Sequence, residues 1–373
     1  MFTLRQYLTT LADTHGLTKT LGGMEVCRDS RGRMCYTVGN SAIVFRVRHE
    51  GHIRSLRCYM HPPRHLAEIY GERLLPQELY LYDSPRSGVW VDVVLGDWIE
   101  GATLHEAVAE AAAAEDATRL GQLAAAFDRL AARLTSDDWA HGDLKPENIV
   151  VDSSGRLHLI DLDAMYLPAF AGEASPELGT AAFQHPARTI RDFNASLDDY
   201  PAALISTALH ALAADPTLWD RYGSTDGLLY APQRIAADPA YRETLALFER
   251  RGMAVQYRIA QLLAAPTLRL FGLAELLAEA VREKPAARSG TETETPELFV
   301  ENGRWGYRTA ERVVVAPLYD SGFDFTEGLA AVQLGGTWHY IDTAGRTLLS
   351  CPGCAAVKPF RGGKACLLYT SPS

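Results

Sequence analysis

Between residues 141 and 163 the chain sets out an acid, Asp143, a cation two residues on, Lys145, an amide five residues on, Asn148, and two further acids, Asp161 and Asp163. Each residue type has a chemistry. A carboxylate can orient a hydroxyl and take its proton. An ammonium can neutralise charge that develops on a transferred group. Carboxylate and amide oxygens are what magnesium accepts together with water and phosphate. A chain that keeps these groups on one short stretch must fold so that they converge.

Composition narrows the class. At 373 residues the chain is long enough for two domains, each with its own core. Apolar residues make up 47% and charged residues 22%, as in an ordinary globular protein. The net charge of -10 argues against nucleic acid as a partner, because phosphate neutralisation needs basic patches. No apolar run approaches the roughly twenty residues that span a bilayer, and Met1-Phe2-Thr3-Leu4-Arg5 does not open a signal peptide. Six cysteines without framework spacing fit a reducing, cytoplasmic setting. Cys351-Pro352-Gly353-Cys354 has no second pair to complete a metal site and reads as a turn.

Residues 1–100 are patterned for strands. Ser41–Val47 and Ile53–Tyr59 alternate as strands about a hairpin turn at 49–52, and Val89–Leu95 reads as a third. Pro62-Pro63 precedes a helical run over 64–74. From Thr103 to about 283 the pattern is mostly helical, with strong helices over Ala117–Leu134 and Asp198–Ala214. Residues 284–297, rich in Thr, Glu and Pro, read as a linker.

The run His141-Gly142-Asp143-Leu144-Lys145-Pro146-Glu147-Asn148, with Leu159-Ile160-Asp161-Leu162-Asp163, resembles the catalytic loop and metal-binding segment of eukaryotic-type protein kinases. The resemblance extends over roughly 37–283. It implies an α+β, two-lobed kinase-like fold, with a β-rich N-lobe over 1–100, including an N-terminal extension, and a helical C-lobe over 101–283. It also implies ATP and magnesium as cofactors and a protein Ser/Thr hydroxyl as acceptor. Asp143 would be the base and Lys145 the cation on the transferred group. Asn148 and Asp161 would be metal ligands. Gly39 and Ala42 would belong to the loop over the phosphates. Arg57 would stand where a lysine usually holds them, paired with Glu68 or Glu72. Asp97 and Ile99 would read adenine through main-chain groups, with Gly96 leaving an open pocket behind.

Several residues depart from the family pattern. Gly142 replaces the arginine that contacts an activation-segment phosphate, which implies that such a phosphate is not the switch. Asp163 replaces a glycine and is expected to be solvated rather than a metal ligand. Gly179-Thr180-Ala181-Ala182-Phe183-Gln184-His185-Pro186 resembles the end of the activation segment, with Thr180 positioning the catalytic loop and His185 structural. Asp198 fits either a buried acid on the catalytic-loop backbone or a helix N-cap. Arg57 and the sparse glycines leave open a pseudokinase scaffold that binds nucleotide without turnover. His-Gly-Asp with Asn five residues later leaves open a small-molecule kinase of the aminoglycoside or choline type, although Leu144-Lys145-Pro146-Glu147 and the Gly-Thr segment speak against it.

Beyond the linker the sequence repeats. Arg304-Trp305-Gly306-Tyr307-Arg308 returns 33 residues later as Thr337-Trp338-His339-Tyr340-Ile341, and Phe325–Ala330 returns 35 residues later as Phe360–Ala365. Residues 298–365 thus resemble WG repeats, short β modules that stack in arrays and offer a protein-binding face. About two copies would be marginal alone, so the array is expected to pack on the kinase-like part or to be cut short. Cys366–Ser373 does not continue the repeat and resembles a translated transposon sequencing adapter, so it is expected to lie outside the fold.

Overall fold

A computed structural model describes residues 2–84, 87–282, 296–301, 303–309, 312–326, 329–343, 345–352, 354–358 and 367–369. It has α+β architecture and divides into two compact units, Met1–Ala286 and Ala287–Ser373. Most of the expected linker and the second Phe-Arg-Gly-Gly segment lie outside the described residues.

The first unit opens with helix α1 (Leu4–Ala12), which the sequence reading did not foresee. Thr3 starts it: its hydroxyl accepts the Gln6 N–H while the Gln6 side chain accepts the Thr3 N–H. This reciprocal cap satisfies two amides the first helical turn leaves over. Then come β1 (Glu25–Val26), β2 (Tyr36–Val38), β3 (Ala42–His49), β4 (His52–Tyr59), α2 (Leu66–Tyr70), β5 (Leu74–Ser84) and β6 (Ser87–Asp97). The strands form an antiparallel sheet ordered β1-β3-β4-β6-β5, with β2 on β3.

Alternation divides the faces of this sheet. Ile43, Phe45, Val47, Leu56, Cys58 and Val93 pack beneath Tyr7 and Leu11 of α1. On the opposite face, Ala42, Tyr59 and Val94 pack with Leu66 and Tyr70. The β3–β4 hairpin closes through Glu50 at φ 49° and Gly51 at φ 79°, the paired left-handed residues a tight two-residue turn requires. The helix expected over 64–74 is shorter. It stops at Tyr70, because Gly71 takes a positive φ of 54° and the chain passes through a 3-10 turn into β5.

The helical part follows: β7 (Ala102–Thr103), α3 (Leu104–Ala113), α4 (Ala117–Leu134), β8 (Ile149–Val151), β9 (Leu157–Leu159), α5 (Asp199–Ala214), α6 (Leu218–Tyr222), α7 (Pro239–Arg250), α8 (Ala254–Leu262) and α9 (Leu273–Arg282). The apolar stripe of α4, from Leu120 through Phe127 to Leu134, is buried as its spacing requires. Helix α5 is apolar nearly all round and runs through the core. Where α4 meets α5, Asp128 accepts the Ser206 hydroxyl at 2.7 Å and meets His210 Nε2 at 2.7 Å, so the buried acid is partnered. A small sheet β7-β8-β9 carries the 141–163 stretch.

The described residues of the second unit form only strands as regular elements: β10 (Glu297–Glu301), β11 (Arg304–Arg308), β12 (Val313–Tyr319), β13 (Ser321–Gly322), β14 (Leu329–Leu334), β15 (Thr337–Asp342), β16 (Thr347–Cys351), β17 (Cys354–Val357) and β18 (Leu367–Tyr369). They form sheets β10-β11-β12, β13-β14-β15-β16 and β17-β18. Leu367–Tyr369, expected outside the fold, instead pair with β17. Among the described residues no helix is long and apolar enough to cross a membrane.

Candidate functional site

The stretch 141–148 is held from beneath by Asp198. Its carboxylate accepts the main-chain N–H of His141 at 2.5 Å and of Gly142 at 3.1 Å, and it makes no side-chain cap on α5. The structure thus decides between the two expectations for this acid. Burial raises the Asp198 carboxyl above its ordinary value, against the pull of His141 and the two amides. His141 Nε2 meets the Ile160 carbonyl at 2.9 Å, and its Nδ1 accepts the Asp143 N–H at 3.3 Å.

Gly142 is required where it stands. Its φ is +81°, and a Cβ there would lie 2.1 Å from the Ala164 carbonyl oxygen. No arginine side chain could start from that backbone. A different arginine, Arg188, lies buried alongside. It donates to the Gly142 carbonyl at 2.9 Å and to Gln184 Oε1 at 2.5 Å. The sequence reading missed Arg188, since no local pattern marks a residue that acts 46 positions away.

Asp143, Lys145 and Asn148 converge. Lys145 Nζ lies 3.0 Å from Asp143 Oδ2 and donates to Thr180 Oγ1 at 2.9 Å. The Thr180 N–H donates to Asp143 Oδ1 at 2.6 Å. Asn148 Nδ2 donates to the Asp143 carbonyl at 2.9 Å and to Oδ2 at 3.3 Å. That orientation turns the amide nitrogen toward Asp143 and leaves Asn148 Oδ1, the atom a cation would use, without a hydrogen-bond partner among the described residues. Burial pushes the Asp143 carboxyl up, but Lys145 and Thr180 outweigh it and hold the group below its ordinary value. Asp143 is therefore ionised at neutral pH. Gly179 admits this contact: at φ +69°, its missing Cβ would stand 2.9 Å from Asp143 Oδ1.

Asp161 belongs to the same neighbourhood, because the Ile160 N–H donates to the Asn148 carbonyl at 2.9 Å. Its carboxylate pairs with the Arg57 guanidinium, which arrives from β4. Here two expectations are corrected. Arg57 does not pair with Glu68 or Glu72; it takes Asp161 and Asp163. The short α2 explains this, since it presents Tyr70 to the site while Glu68 lies 3.8 Å from His65. Asp163 is not solvated either. It accepts Arg57 at 2.9 Å, Ser41 Oγ at 3.2 Å, the Tyr59 hydroxyl at 3.0 Å and the Tyr70 hydroxyl at 2.7 Å. Tyr59 and Tyr70 are burial-shifted phenols that stay protonated and donate.

The remaining expected contacts are less open than the resemblance implies. Ala42, only 2% exposed, is core against Tyr59 and Tyr70, so its small side chain serves packing. The Gly39 N–H closes the β2–β3 turn on the Ala42 carbonyl at 2.8 Å. Asp97 ends β6; its carboxylate pairs with Arg54 and its carbonyl accepts Ser55 Oγ at 3.1 Å. Space at Gly96 is taken by the same serine, 3.0 Å from where a Cβ would stand. Ile99 lies in the open segment between β6 and β7. His185 is structural, meeting the Ala265 carbonyl at 3.1 Å and the Tyr200 ring edge-on.

Glu177 is a further acid the sequence did not flag. It is exposed by area, yet protein atoms crowd its carboxyl. That crowding first, then Asp143, Asp161 and Asp163, raise it above its ordinary value. Among the described residues no three His, Cys, Asp or Glu side chains form a ready metal cluster. A magnesium site would therefore rest on Asn148 Oδ1, on Asp161 once released by Arg57, and on oxygens brought by the nucleotide. Neither of two surface grooves coincides with this centre. One of about 800 Å³ lies between the end of α1 and β1, and one of about 420 Å³ reaches Ala182 but not Asp143.

In the second unit the repeat is structural. Tyr307 and Tyr340 are fully buried at equivalent positions, and each hydroxyl donates to a later carbonyl, Phe323 at 2.7 Å and Lys358 at 2.6 Å. Gly306 and His339 occupy the next equivalent position. In the first copy a bulge between β11 and β12 brings the Val315 carbonyl to 2.7 Å from where a Gly306 Cβ would be. In the second copy the pairing His339↔Ser350 is regular, so a side chain fits.

Residues 308–338 match the family model of the WG containing repeat. This WG repeat begins on the last residue of β11 and runs to Trp338 in β15, so it joins the two copies read from the sequence. No curated protein matches the chain.

Proposed function

We propose that the first unit is a protein kinase-like phosphotransferase that moves the γ-phosphoryl group of ATP to a serine or threonine hydroxyl of a protein, tethered to WG repeats as an interaction module. The observation that carries this reading is the convergence of Asp143, Lys145, Asn148 and Thr180. An ionised Asp143 can accept a hydrogen bond from an incoming hydroxyl and take its proton late in transfer. Lys145 stands 3.0 Å from that carboxylate, close enough to offset charge on the group in flight. Asn148 and Asp161 would hold magnesium, which when bound neutralises phosphate charge and keeps it in line. The contact of Thr180 with both Asp143 and Lys145 favours a protein acceptor over a small molecule, because it brings the 179–186 segment beside the reacting groups. Exposed Leu318 and Leu348 would serve the WG module as contacts for a protein partner.

Phosphate incorporation into a generic protein substrate with magnesium and ATP tests the reading. Activity is expected in the wild type and is expected to fall about 10²–10⁴-fold in Asp143→Asn, the range of a lost general base. Absence of incorporation with either magnesium or manganese overturns it.

A second reading, a scaffold that binds nucleotide without turnover, is favoured by one observation: Arg57 is engaged by Asp161 and Asp163 rather than free for phosphate. It expects a rise in thermal midpoint with MgATP, no incorporation, and no gain in Arg57→Lys.

A further inference from the structure

Cys351 and Cys354 end β16 and begin β17, with Pro352 and Gly353 between them in sequence. Both are buried, at 2% and 6% exposure, in one cluster with Ala331, Trp338, Tyr340 and Val357. Both are free thiols, three positions apart and packed in that one cluster. Among the described residues no other cysteine belongs to that cluster, and Cys351 sits directly opposite Trp338 across β15 and β16. Nothing in the proposed phosphotransfer chemistry uses them.

We propose that Cys351 and Cys354 form a dithiol–disulfide couple that staples β16 to β17 in the WG unit when hydrogen peroxide reaches it. The thiolate of one cysteine attacks the peroxide oxygen, forming a sulfenic acid and releasing water once the leaving hydroxide is protonated. The second sulfur then displaces that hydroxyl as a second water, and the S–S bond forms. Two thiols and one hydrogen peroxide molecule thus give one disulfide and two waters: sulfur loses two electrons and the O–O bond gains them. Proximity carries the second step, because the resolving cysteine already lies in the same buried cluster. Burial slows the first, since it raises the Cys351 thiol above its ordinary value and the thiolate is the nucleophile. Oxidation should therefore quicken from about pH 7 to about pH 9.

The test treats the full-length reduced chain with hydrogen peroxide, blocks remaining thiols by alkylation and maps the tryptic peptide beginning at Thr347. The expected product has lost two hydrogens, carries no alkyl group at Cys351 or Cys354, and returns to the doubly alkylated form after dithiothreitol. Tryptophan fluorescence should fall on oxidation and recover on reduction, through Trp338, and both changes should vanish in Cys351→Ala and in Cys354→Ala. A Cys27→Ala, Cys35→Ala double variant should leave them intact, because that pair lies in the first unit. Pairing of Cys354 with Cys366, over-oxidation to sulfinic acid without an S–S bond, or two alkylated cysteines after peroxide treatment overturns the proposal.

Discussion

Asp198 and Asp163 are both acids that hold the 141–163 stretch, and they work in opposite ways. Asp198 is 1% exposed and grips backbone, the amides of His141 and Gly142. Asp163, with a side chain 10% exposed, grips four side chains from three separate elements: Ser41, Arg57, Tyr59 and Tyr70. The first fixes the shape of a loop whatever the rest of the unit does. The second exists only while the sheet and the 160–164 turn stay together, so it reports on their relative position. A backbone grip is rigid by construction, while a convergence of rotatable side chains can be exchanged for another partner.

The largest expected effect is at Asp198. Asp198→Ala leaves two buried amides without an acceptor, a loss of about 3 kcal/mol or more, read as a lower urea midpoint of the first unit. Asp163→Ala should cost less, about 2 kcal/mol, since Arg57 keeps Asp161 and the half-buried Ser41 hydroxyl can turn to water. If Asp163→Ala proves the more damaging, the distinction between backbone grip and side-chain convergence fails. The smallest effect separates Asp198 from its neighbour. Asp199 accepts the Leu270 N–H, and burial pushes its carboxyl up to about 6. A folded value above the unfolded one, about 3.9, means stability that is present at low pH and lost as pH rises through about 6. Asp199→Asn should therefore gain on the wild type between about pH 4 and about pH 6, by on the order of 1–2 kcal/mol. Urea titrations of both proteins across that range measure the difference, and parallel curves count against it.

Much of the scaffold was legible because it is periodic. Helix α4 runs over the Ala117–Leu134 stripe, and β4 extends the expected Ile53–Tyr59 by one residue. Helix α1 escaped because its start lies in a capping exchange between Thr3 and Gln6 rather than in a long apolar stripe. The site was legible in its local part only. Asp143, Lys145 and Asn148 lie within six residues and meet as their spacing implies. The partner of Arg57 was misread because the choice between Glu68, Glu72 and the acids at 161 and 163 depends on where α2 ends. Gly71 decides that through its backbone angle. In the second unit, the glycine of the Trp-Gly pair is needed at 306 and dispensable at 339 for a reason no composition reveals: the register shift falls at Gly306 in the first copy and beyond Tyr340 in the second, which leaves His339 regularly paired.

By itself the sequence determined which groups would be chemically able to act and that they would lie close together, because residues two and five apart on a short loop cannot separate. It also determined that the C-terminal part repeats. Tertiary structure alone decided that Asp198 anchors a backbone, that Asp163 gathers Ser41, Arg57, Tyr59 and Tyr70, and that Arg188 supports Gly142. Those contacts join residues 46 to 122 positions apart. Their partners are set by how the sheet and helices pack, and packing depends on the whole apolar pattern rather than on any local run.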